Sequence, residues 1–108
     1  MNPKIKKYHI CYNCGTKTDG EMNYYYYYCR LCKCYVELSW KNEIISITVG
    51  INNEKYTKIR YYNFNQTIYL LGSINGLVKN IEFPFKDRFD PKNAQEIADK
   101  LLKLQIFK

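Results

Sequence analysis

Residues 43 to 83 hold four runs in which apolar and polar side chains alternate. Alternation of period two sends successive side chains to opposite faces of a strand. In residues 43–49, Ile45, Ile47 and Val49 share one face. In residues 55–62, Thr57, Ile59 and Tyr61 oppose Lys58, Arg60 and Tyr62. Residues 67–74 and 77–83 follow, the last with Leu77, Ile81 and Phe83 on one side. The connections are short: 51–54, then Asn63-Phe64-Asn65, then Asn75-Gly76, a strong two-residue hairpin signal. Short connections between successive strands imply a four-stranded antiparallel meander.

The period then changes. Pro84 stops the last strand, and Asp90-Pro91 supplies a helix N-cap with proline at the first helical position. Ala94, Ile97, Ala98, Leu101 and Leu102 fall on one helical face, with Lys92, Glu96, Lys100 and Lys103 mostly on the other. One amphipathic helix is expected over 91–105, laid across the meander, because a sheet needs a cover. A helix that docks a partner is the alternative.

The N-terminal third reads differently. Tyr24 to Tyr28 are five consecutive tyrosines with strand propensity, and 35–38 form another strand. Tyr24, Tyr26 and Tyr28 share one face; Tyr25 and Tyr27 share the other. Around these strands sit two matched C-x-x-C turns, Cys11/Cys14 and Cys29/Cys32, fourteen residues apart. Thiolates are soft ligands suited to tetrahedral zinc, and four of them close a structural shell. Gly15 follows the first pair and can take the positive φ that a tight turn requires.

The same thiolates also suit rubredoxin-like iron. A disulfide needs an oxidising compartment, and a redox C-x-x-C lacks its βαβ setting here. The start of the chain has no apolar stretch after its lysines, so a reducing, cytoplasmic location without membrane insertion is expected. Cys34 and His9, each two residues from a pair, are possible substitute ligands; packing in a strand is the plainer reading of both.

Residues 5–39, read as strand, turn, strand, loop, strand, turn, strand, resemble a zinc ribbon, a fold found in transcription factors, primases, ribosomal proteins and small viral proteins. The resemblance implies bound Zn2+ at Cys11, Cys14, Cys29 and Cys32. It implies no particular function. The expected architecture is α+β: a zinc ribbon over 1–39, then the meander and helix over 40–108, the two packed together as one compact unit. Trp40, at the junction, is expected to cement the two parts.

The formal net charge is +7, from 17 basic and 10 acidic residues. That balance favours polyanions. Lys4, Lys6 and Lys7 precede the first knuckle, Arg30 and Lys33 belong to the second, and Lys58 and Arg60 share a strand face with Tyr62. Basic residues beside aromatics make single-strand binding surfaces. Tyr25 and Tyr27 are the tyrosines expected to join them. Base composition tempers this reading. Lys, Asn, Ile and Tyr make up 49 of the 108 residues, all with A/T-rich codons, and only three basic residues are arginine.

Catalysis finds no support: the chain has one histidine and lacks G-x-S-x-G, H-E-x-x-H and a phosphate loop. The expected function is a non-enzymatic zinc-binding accessory that docks on nucleic acid or a nucleic-acid-processing complex. The alternative is a small phage- or virus-type inhibitor or adaptor that binds a protein. Neither reading calls for a small-molecule substrate.

Overall fold

A computed structural model describes residues 9–18 and 25–106. Six strands follow one another: β1 (Tyr26–Cys29), β2 (Cys34–Leu38), β3 (Ile44–Gly50), β4 (Lys58–Tyr62), β5 (Thr67–Ile74) and β6 (Leu77–Pro84). A 3-10 turn, Pro91–Asn93, leads into helix α1 (Ala94–Ile106). The fold is α+β, but the sheet has six antiparallel strands in sequence order rather than four. The two strands assigned to the ribbon are not separate from the meander. Cys34 pairs with Val49 and Val36 with Ile47, so hydrogen bonding runs across the 39/40 boundary without a break.

Register explains the core. Opposed residues in an antiparallel sheet point to the same face. One row runs Tyr27, Val36, Ile47, Tyr61, Ile68, Phe83 across all six strands. The next runs Cys29, Cys34, Val49, Ile59, Leu70, Ile81. These rows hold the most buried side chains, among them Val36, Ile59, Ile68 and Leu70. Burial of each aliphatic side chain contributes about 1.5–3 kcal/mol. The alternation read in 43–49 and 55–62 placed Ile47, Val49, Ile59 and Tyr61 correctly. Leu77 is exposed instead, because the first half of β6 extends beyond the core.

The helix supplies Ala94, Ala98 and Leu101 to the same buried cluster. The Asp90 carboxylate caps it, accepting from the Lys92 backbone N–H at 3.0 Å. Gln95 ties it to the segment after β3: Asn52 N–H donates to Oε1 at 2.7 Å, and Nε2 donates to Asn52 O at 3.1 Å. Phe89 stacks on Tyr61, with ring centroids 5.3 Å apart and 4° between planes. Trp40 does not cement anything. It is 80% exposed in the β2–β3 turn, with Lys41 Nζ 5.1 Å from its ring centre. The continuous sheet already joins the two parts.

One tight turn and one close approach set the connections. Asn75 (φ 51°) and Gly76 (φ 80°) form the β5–β6 hairpin in the left-handed conformation that this dipeptide favours. Gly72 is buried under the loop before β4, and a Cβ there would lie 1.9 Å from the Lys55 carbonyl oxygen. Backbone cannot yield as a side-chain tip does. Gly72→Ala is expected to cost about 1–3 kcal/mol, read as a lower denaturation midpoint; an unchanged midpoint would contradict this packing.

Candidate metal centre and open sheet face

The first knuckle closes a short hairpin. Ile10 bridges Lys17, and Thr18 N–H donates to His9 O at 2.8 Å. Inside it, Cys11 N–H donates to Thr16 O and Gly15 N–H to Cys11 O, both at 2.9 Å. The second knuckle is the β1–β2 turn itself, closed by the Cys29–Cys34 pair. Both knuckles turn left-handed just after their second cysteine: Gly15 has φ 75°, as its lack of a side chain anticipates, and Lys33 has φ 54°.

The two turns bring four thiols together. Cys11, Cys14, Cys29 and Cys32 have sulfurs within 4.8 Å of one another, so they can hold one metal ion. The Cys11–Cys32 separation is 3.9 Å and the Cys14–Cys29 separation 3.6 Å. A tetrahedral ion with sulfurs at about 2.3 Å requires edges of about 3.8 Å. Donor type and spacing therefore both fit zinc.

The surroundings tune these thiols unequally. Burial pushes Cys32 up to about 12 and also raises Cys29. Side-chain and backbone hydrogen bonding with Thr16, whose Oγ1 lies 3.1 Å from Cys14 Sγ, lowers Cys14 to about 6. Asn13 connects the site to the rest of the fold. Its Nδ2 donates to Cys32 Sγ (3.5 Å) and to Asp90 Oδ1 (3.4 Å), while Arg88 donates to its Oδ1 at 3.0 Å. The helix cap and a ligand cysteine thus share one amide.

The proposed substitutes take other roles. Cys34 is fully buried between Cys29 and Val49 in the core-facing row, and burial raises its thiol. His9 stacks on Tyr27 with centroids 5.4 Å apart. The ligand group among the described residues is the four cysteines.

Tyr27 overturns one expectation. It is only 7% exposed, and its hydroxyl accepts the Tyr12 N–H at 3.0 Å. Because it shares parity with Cys29, it must face the thiol cluster and the core. Tyr25 is exposed in the turn before β1. The outward tyrosines of the run are Tyr26 and Tyr28, on the face opposite the thiol cluster.

That opposite face gathers Lys33, Lys58 and Arg60. They line one groove of about 550 Å³ with Tyr28, Tyr35 and Thr48. A second groove of about 310 Å³ continues from Arg60 to Tyr62, Phe64 and Tyr69. Arg30 is exposed in the knuckle but does not line either groove. Lys4, Lys6, Lys7 and Tyr24 lie outside the described residues. Tyr35, Phe64 and Tyr69 were not anticipated, because their convergence needs the six-strand register. Among the described residues, no helix is long and apolar enough to cross a membrane.

No family model, curated protein or solved structure matches the chain.

Metal binding must displace thiol protons, so zinc uptake is expected to release protons and acidification to weaken it. Chelation is expected to speed amide exchange in residues 10–17 and 29–34 by about tenfold or more, while residues 59 and 68–70 keep their protection. Uniform protection after chelation would show that the thiols do not hold a structural ion.

Proposed function

We propose that this chain is a non-enzymatic zinc-binding module, ribbon-like at its metal site, that docks on nucleic acid through the open face of its sheet. One observation carries the reading. Lys33, in the second knuckle, and Lys58 and Arg60, on β4, line a single groove with aromatic walls. The helix and both knuckles contribute to the buried cluster on the other side. Four thiolates close a tetrahedral shell and leave no position for a reacting water, which favours a structural ion over a catalytic one.

The competing reading, a protein-directed adaptor or inhibitor, has one feature in its favour. Leu77 and Val78 are exposed on β6, which forms an edge of the sheet.

Salt dependence separates the two. Three phosphate contacts predict a slope of log K against log salt of about −2 to −3. Lys58→Ala and Arg60→Ala should each flatten it by about 0.7–0.9. A slope near zero would sink the nucleic-acid reading. Lys33→Gly gives an independent check, since glycine removes both a left-handed side chain and a charge. It should stabilise the fold by about 1 kcal/mol while weakening binding; stability and affinity moving together would contradict this division.

A further inference from the structure

We propose that the ligand of the open face is single-stranded nucleic acid, laid across the strands with bases stacked on two aromatic platforms and a phosphate between them at Arg60. This rests on the docking reading above and adds the form of the ligand.

The platforms lie at either side of one register row, Tyr28–Tyr35–Thr48–Arg60–Tyr69. The first is built around Tyr35, with Tyr26 stacked beside it (5.2 Å, 25°) and Tyr28 tilted (6.5 Å, 47°). The second is built around Tyr62, which meets Tyr69 edge-on (5.4 Å, 86°) and Phe64 likewise (6.1 Å, 75°). Tyr35 and Tyr69 sit three strands apart, about 14 Å at the usual strand spacing. Arg60 lies between them and lines both grooves. Its Nε donates to Thr48 Oγ1 at 2.9 Å, which orients the guanidinium and leaves its terminal nitrogens to meet a phosphate.

Two features select a single strand over a duplex. Stacking on a protein ring needs a free base face, and duplex bases cover each other's faces. The charge is also modest. Three cations line the grooves, and two carboxylates share the face in register: Glu37 beside Tyr26 and Glu82 beside Tyr69. That is too little for affinity by phosphate contacts alone, so the rings, exposed at Tyr26, Tyr28, Tyr35 and Phe64 and half-buried at Tyr62 and Tyr69, must supply the rest.

The test uses the zinc-loaded full chain with labelled oligothymidylate and oligouridylate of about eight residues, within the site sizes typical of such surfaces, and a duplex of equal length. Both single strands are expected to bind, and the duplex about tenfold or more weaker. Tyr35→Ala and Tyr69→Ala should each weaken single-strand binding about 5- to 150-fold. Tyr35→Phe and Tyr69→Phe keep the ring and should stay within about twofold. Retained zinc in every variant confirms that the fold is intact. Equal binding of duplex and single strand, with the alanine variants unchanged and Arg60→Ala impaired, would overturn stacking and leave the docking reading standing. Phenylalanine variants as weak as the alanine ones would overturn it too, since the hydroxyls rather than the rings would then carry the contact. No binding of either form by the native chain would overturn both.

Discussion

Strand register is the constraint on which the metal site and the open face both depend. Cys29 lies opposite Cys34, Cys34 opposite Val49, and Val49 opposite Ile59, so the thiol of the second knuckle hangs from the face that holds the apolar rows. Tyr28, its neighbour in sequence, must then emerge on the other face beside Tyr35. A slip of one residue would exchange the two sets entirely. It would expose Val36 and Ile47 while burying Glu37 and Arg60, which is why burial holds this register firmly.

The metal site closes the end of the sheet where side chains alone supply little core. The first knuckle reaches β1 through the Tyr12–Tyr27 hydrogen bond and the stacked His9–Tyr27 rings. Its thiols meet those of the β1–β2 turn. Asn13 extends the connection to Asp90, whose carboxylate also caps the helix start. Ligand geometry and helix position are therefore linked by a short polar chain, as the outer partners of metal ligands often are.

Much of this was legible in the chain itself. The clustering of the four thiols was readable from spacing, because a C-x-x-C turn places its sulfurs locally. Strand β5 and the helix cap were equally local: Asn75-Gly76 and Asp90-Pro91 each carry their own geometry. What escaped was long-range. Nothing local in residues 34–50 shows that β2 pairs with β3, so the ribbon and meander read as two packed parts rather than one continuous sheet. The same gap misassigned Tyr27. Within a run of identical residues no pattern says which parity is buried, and the deciding partner, Cys29, becomes informative only once its sulfur is known to face the core. The convergence of Lys33 with Lys58 and Arg60 likewise follows from pairing across three strands.

The openness of the second face follows from a shortage of cover. Six strands span about 24 Å at the usual spacing. The 13-residue helix is about 20 Å long. One such helix cannot cover a sheet of this width alone, and here it enters the core together with Phe85, Phe89 and the knuckle cysteines. The two cysteine knuckles thus take the place a second helix would fill. Among the described residues every covering element is committed to that one side. The other side must be compatible with water, and Lys58, Arg60, Thr48 and Glu82 make it so. Rings as exposed as Tyr35 and Phe64 serve no core there. Their presence between those polar groups is what a base-stacking surface requires.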